Sequence, residues 1–286
     1  IPGGLVIGKR NYFDCTYGEG VLSVDIGDND KEFGNNCPRG DGSVTFGRLN
    51  TASGDAATVT GGLMNLATGE AAAVTGGSFN LARGKAAAVT GGSENYATGY
   101  ASSASGGDLN TASGSTSSIT GGYDHTASGV ASTITGGEKN VAEGDKSSIT
   151  GGYGNTAKGK TATVTGGDKN VAEGASSSIT GGSNNKAEEL FSSITGGGDN
   201  TAKGKYSTVS GGKKNVAAGE SSSISGGFLN NVSGKEATVL GGTRNQASGL
   251  LASVSGGFRN TASGNRASVL GGRKKISSKN FGIFPQ

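Results

Sequence analysis

The side chains able to do chemistry in this 286-residue chain are few and far apart. His125 is its only histidine, and no nucleophile or acid cluster accompanies it. Acid–base or nucleophilic catalysis needs partnered groups within hydrogen-bond reach. The sequence therefore predicts no enzyme activity, no cofactor and no metal site, and His125 reads as a structural residue. The calcium-binding β-roll pattern is excluded, because its repeat has nine residues with an Asp in each. Cys15 and Cys37 lie close together in the one irregular part of the chain. As a disulfide they would contribute about 3 kcal/mol through loop-closure entropy and imply a secreted or cell-surface protein; two free thiols are the alternative. Arg39-Gly40-Asp41 follows Cys37 and matches an integrin-type tripeptide, although an exposed polar turn explains it as well. Asn231-Val232-Ser233 is a glycosylation sequon whose Asn would point outward.

These residues sit on a repeat of fifteen residues that runs from about residue 43 to 272, and a fixed period of this kind decides the fold. A pair of glycines opens each unit, as at Gly151 and Gly152. Counting the first as position 1, position 5 is Asn at Asn65, Asn80, Asn95, Asn110, Asn140, Asn155, Asn170, Asn185, Asn200 and Asn215, with His125 the exception in the run. Position 7 is Ala except Val232, position 9 Gly except Glu189, position 12 Ala or Ser, and position 14 Val or Ile except Ala104. Positions 5 and 7 alternate with 6 and 8, and 12 and 14 with 13 and 15. Period two means strand, and the glycines are expected to supply the positive φ of tight corners. Each unit is thus two short strands and two turns, one coil of an all-β parallel β-roll or β-solenoid. The Asn row predicts a ladder bonded either amide to amide or to the turn backbone.

The two outward rows differ. Positions 6 and 8 carry Lys, Glu and Arg among Thr and Ser, an ordinary solvated face. Positions 13 and 15 hold Thr58, Thr60, Thr75, Thr90, Thr120, Thr133, Thr135, Thr150, Thr163, Thr165, Thr180 and Thr195 among Ser, Ala and Leu, with no charge in fifteen coils. Such a face suits either packing against copies of itself or ordering water. Tyr123, Tyr153, Phe228 and Phe258 all fall at position 3, beside a corner, where they either pack or form a sparse strip for sugar or protein.

Residues 1–42 read as an atypical N-terminal cap, with residues 7–11 and 26–27 as degraded repeat starts and an acidic run over 28–32. Residues 273–286 read as a C-terminal cap or tail. The 57 Gly, absent Trp and 32% apolar content argue against an ordinary globule. A net charge of +3, small for this length and with scattered Lys and Arg, predicts no nucleic-acid partner. No apolar run is long enough for a membrane span. The chain starts at Ile1, as a processed protein or a fragment would.

The unit Ser-x-Val-x-Gly-Gly-x-x-Asn-x-Ala-x-Gly, as at residues 207–219, resembles the head repeats of bacterial trimeric autotransporter adhesins. The resemblance covers about residues 43–272. It implies a left-handed parallel β-roll, a homotrimer, and binding of a surface protein or glycan ligand. Split into half-coils, the same repeat resembles grass-type ice-binding β-solenoids, which implies an ice face at Thr58/Thr60, Thr133/Thr135 and Thr163/Thr165. Adhesion by a homotrimer is the first expectation, ice binding the alternative, and a structural filament the third.

Overall fold

The structure, a computed structural model, describes residues 4–7, 15–25 and 36–284. It divides into two units, residues 1–142 and 143–286, each a parallel β-solenoid with no helix among the described residues. Strands are two residues long through the repeats, at positions 6–7 and 13–14: Leu66–Ala67 and Ala73–Val74 in the first unit, Val171–Ala172 and Ser178–Ile179 in the second. Every pairing is parallel, and from Thr51 onward each steps by fifteen, as in Leu66↔Leu81 and Ser178↔Ser193. So short a strand cannot stand alone. It persists because main-chain bonds tie each coil to the next: Leu66 N–H to Asn80 O at 2.8 Å, Ala73 N–H to Ala87 O at 2.9 Å. A third parallel bridge runs through position 3, where Tyr123 pairs with both Asp108 and Glu138.

The interior is narrow and complete. Ala at position 7 and Val or Ile at position 14 are at most 1% exposed throughout, and so is position 12. At position 12, Ser102 donates to Gly99 O at 2.9 Å and Ser192 to Glu189 O at 2.7 Å. The buried hydroxyls of Ser117, Ser132, Ser177, Ser207 and Ser222 make no hydrogen bond. This fits the free exchange of Ser for Ala at that position along the chain.

The corners are built differently from the expectation that all three glycines supply positive φ. Only the second of the pair does, as at Gly62 (φ 84°) and Gly212 (φ 83°). Position 9 is glycine for another reason: a Cβ there would overlap the main chain of the glycine one coil on, as Gly69 would with Gly84. The left-handed turns fall instead on positions 4 and 11, occupied by Met64, Lys139 and Arg259 at the first and Ala71, Thr161 and Glu236 at the second, with φ of 53–56° at Lys139, Arg259, Ala71, Thr161 and Glu236 and 52° at Met64. At these residues the N–H turns back to the preceding coil: Met64 to Arg48 O at 3.1 Å, Ala71 to Asp55 O at 2.8 Å. Reversal of one amide in a run that otherwise points forward is what the left-handed conformation achieves here. Each non-glycine residue holding it forgoes about 1–2 kcal/mol.

In the N-terminal region, β1 (Leu5–Ile7) pairs with β2 (Leu22–Asp25), and β2 pairs with the strand Val44–Gly47. The step is fourteen at Val44↔Thr58 and fifteen from Thr51↔Leu66 onward, so the corner at Phe46 is one residue short. A Cys15–Cys37 disulfide is present, with Cα atoms 5.7 Å apart and Cys37 buried. Residues 8–11 and 26–27 of the degraded repeat starts and the acidic run at 28–32 lie outside the described residues. At the other end, residues 273–284 add a further coil, with Ile276–Ser277 and Ile283–Phe284 in register with Thr261 and Ser268.

Candidate functional site

Position 5 is where the fold invests its polar side chains. Each ladder Asn is buried; in the repeating scheme its Oδ1 accepts the main-chain N–H of the position-5 residue one coil on, which for Asn110 is His125, and its Nδ2 donates to two glycine carbonyls. For Asn65 the donated bonds reach Gly61 O at 3.1 Å and Gly77 O at 2.9 Å, and Oδ1 takes Asn80 N–H at 3.1 Å. Asn80, Asn95 and Asn110 repeat this in the first unit, and Asn170, Asn185, Asn200 and Asn215 in the second. Asn155 donates likewise to Gly151 and Gly167. Of the two bonding schemes open to the row, the side chains thus take the turn backbone and do not bond one another.

His125 keeps half of this scheme. Its Nδ1 accepts Asn140 N–H at 3.1 Å, which assigns the proton to Nε2. Nε2 is buried and completes no hydrogen bond. Burial pushes the imidazole below its ordinary pKa, and the carbonyl of Gly137 opposes this in part. The folded chain therefore disfavours the imidazolium, whereas the unfolded chain binds a proton near pH 6.5. Stability contributed here is complete above that value and is lost as pH falls through it. We expect thermal midpoints measured from pH 7.5 down to 5 to fall, and the His125→Asn variant to lose that part of the slope while melting higher at every pH. An unchanged slope would remove the titration of His125 from the account.

The outward rows separate by charge in both units. On positions 6 and 8, Lys186 bridges Glu173 at 3.1 Å and Glu188 at 3.2 Å; its ammonium is held above its usual value chiefly by Glu173. On positions 13 and 15 there are fourteen Thr, twelve Ser, two Ala and two Leu. Position 15 is solvent-exposed in every coil; position 13 is half-buried except at Thr133, Thr163 and Thr208, which are exposed. Thr60, Thr75, Thr90 and Thr120 in the first unit, and Thr150, Thr165, Thr180 and Thr195 in the second, occupy position 15; Thr58, Thr133 and Thr163 occupy position 13 with Thr135 and Thr165 beside the last two. Hydroxyls bond along the stack, Ser178 to Ser193 at 3.1 Å and Thr208 to Ser223 at 3.2 Å. In-register strands set the rows about 4.8 Å apart.

Arg39-Gly40-Asp41 is built into a corner. Gly40 is buried in the position-9 role, and a Cβ on it would overlap Gly54. Asp41 Oδ1 accepts Glu19 N–H at 2.8 Å. Asn231 stands outward in a strand, exposed beside Gln246. Among the described residues no cluster of His, Cys, Asp and Glu could hold a metal ion, and no helix is long and apolar enough to cross a membrane. No protein-family model matches the chain, and no curated protein matches it.

Proposed function

We propose that this chain is a non-catalytic extracellular binding protein whose contact surface is the hydroxyl face of positions 13 and 15. The observation that carries the reading is that face itself: thirty outward positions, twenty-six hydroxyls and no charge, in coils that accept Lys and Glu on their other rows. The Cys15–Cys37 disulfide supports an oxidising, extracellular setting. Ordered water at an ice surface suits the face best. Each hydroxyl there finds a partner in the lattice, and the regular step of the coils repeats the contact. Packing against two further copies would instead bury these hydroxyls, at about 1–3 kcal/mol for each one left unpaired. Nor does the solenoid interior need a neighbour, since it is closed within one chain.

A second reading, a homotrimeric adhesin-like head contacting a surface protein or glycan, draws on Leu240 and Leu270. They replace Thr at position 15 and are 56% and 47% exposed, and apolar side chains on this face favour association.

One set of measurements tests both: ice-recrystallisation inhibition and mass in solution, for the parent and for Thr163→Lys, which puts a charge at an exposed position of the face. The expected result is a monomer that inhibits recrystallisation and a variant that has lost most of that activity. A trimer without such activity, dissociated by Thr163→Lys, would establish the adhesin-like assembly instead. A monomer with no effect on ice would end both readings.

A further inference from the structure

The charge of the chain is not evenly spread. Residues 211–286 contain ten Lys and Arg against Glu220 and Glu236, a net +8, while the preceding 210 residues carry −5. The overall +3 conceals this. The solenoid then sorts these cations. At positions 3 and 4, along one corner of the second unit, stand Lys213, Lys214, Arg244, Arg259, Arg273 and Lys274, all exposed. No acid occupies positions 3 to 8 anywhere in these coils. Glu220 and Glu236 are at positions 10 and 11, the other corner, where Glu220 bonds Lys235 at 3.2 Å. Arg244 and Arg259 occupy the same position of adjacent coils, so their attachment points are about 4.8 Å apart. Like charges stacked in register are destabilising, and no carboxylate among the described residues offsets them.

Beside this rail runs a groove of about 450 Å³ lined by Leu229, Arg244, Gln246, Arg259 and Thr261. Its cations are held firmly. Arg244 and Arg259 have left-handed backbones fixed by bonds to Phe228 O at 2.8 Å and Thr243 O at 2.9 Å. The guanidiniums of Arg259 and Arg273 both lie over the Phe258 ring, 5.1 and 5.5 Å from its centre.

We propose that this groove binds a linear acidic polysaccharide, with its sulfates or carboxylates on the arginine rail and its hydroxyls on Gln246 and Thr261. A single straight row of cations matches a single line of anionic groups, and guanidiniums engage both kinds of anion bidentately. The neutral hydrogen-bonding floor suits sugar hydroxyls. Single-stranded nucleic acid would need a row of open aromatic faces on which successive bases stack; here Phe258 is covered by guanidiniums, which leaves Phe228 as the one open ring at positions 3 and 4 of these coils.

The test is binding of a heparin octasaccharide by calorimetry at physiological salt. The full chain is produced in a host that does not glycosylate, leaving Asn231 bare beside Gln246. Arg244→Asn/Arg259→Asn keeps residues that tolerate the left-handed backbone, so unfolding curves should match the parent. This pair should weaken binding about tenfold or more, since it removes two charge-assisted contacts. Lys158→Asn/Lys203→Asn, an equal loss of charge at position 8, should change it by less than about twofold, as expected of exposed charges outside the site. Dextran should not bind, and an oligo-dT should bind far more weakly. The proposal is overturned by a parent that ignores the octasaccharide, by equal losses in the two double variants, or by an oligo-dT that binds as tightly.

Discussion

Gly219→Ala should destabilise the second unit by about 4 kcal/mol or more. Gly226→Ala, seven residues on, should change its stability by no more than about 0.5 kcal/mol. Both are glycines of ordinary φ in the same coil-to-coil step, so backbone preference does not separate them. Space does. A Cβ on Gly219 would overlap the carbonyl oxygen of Gly234 and lie 2.6 Å from its carbonyl carbon. Those are main-chain atoms, fixed by the bonds of Gly234 N–H to Ala247 O at 3.1 Å and Ala237 N–H to Gly234 O at 3.3 Å. Around Gly226 a Cβ meets nothing within 4 Å. Between Gly54 and Gly264 one coil already carries such a substitution. Glu189 takes the place of this glycine, and its corner is exposed where its neighbours are buried. Gly174 and Gly204 donate to Ala187 and Ala217; no equivalent bond from Glu189 to Ala202 forms. The following Phe191 stacks on Tyr206 outside the coil, ring centres 5.4 Å apart. Thermal unfolding of the two alanine variants decides the matter. Equal midpoints would mean that the coils do not approach this closely.

The fold was legible because its signals repeat. Fifteen-residue spacing, alternation around Ala157 and Val164, and the Asn row each recur in coil after coil, so a parallel solenoid of two short strands per coil follows from the residues alone. The hydroxyl face was legible for the same reason: the absence of charge from Thr58 to Leu270 is visible only when the positions are aligned. What stayed hidden has no residue type of its own. The left-handed residues at positions 4 and 11 include Met64, Phe79, Lys139 and Thr161, because the turn is imposed by amides bonding backward and the side chain merely accompanies it. Glycine at position 9 reads the same on the page whether it serves φ or close approach, and only the overlap of a Cβ with the next coil distinguishes the two. The arginine rail was masked by arithmetic, since the +8 of residues 211–286 disappears into an overall +3. It emerges once Arg244 and Arg259 are seen to share one corner.

Asn200→Ala should come next in severity, at roughly 2–5 kcal/mol, because it leaves Asn215 N–H and Gly196 O without partners, each worth about 1–3 kcal/mol when buried, and leaves Gly212 O with only the N–H of Gly198 at 2.9 Å. Asn200 accepts Asn215 N–H at 3.0 Å and donates to Gly196 O at 3.1 Å and Gly212 O at 2.9 Å. No water can replace these bonds inside a coil whose other residues are Ala, Ser and Val at full burial. Asn200→Asp distinguishes the donor half from the acceptor half. An aspartate there still accepts Asn215 N–H but, ionised, offers Gly196 and Gly212 nothing and places a charge beside their carbonyls. Burial raises such a carboxyl above its unfolded value near 3.9. The variant is therefore favoured below that pH and loses stability as pH rises through it. At pH 7 it should melt about as low as Asn200→Ala, and toward pH 4 it should recover part of the difference as the protonated carboxyl regains one donor. His125 already supplies the intermediate case, acceptor kept and donor unsatisfied, and the chain folds around it. An Asn200→Ala protein melting within about 1 kcal/mol of the parent would show that the stacked main chain holds its corners without the amides.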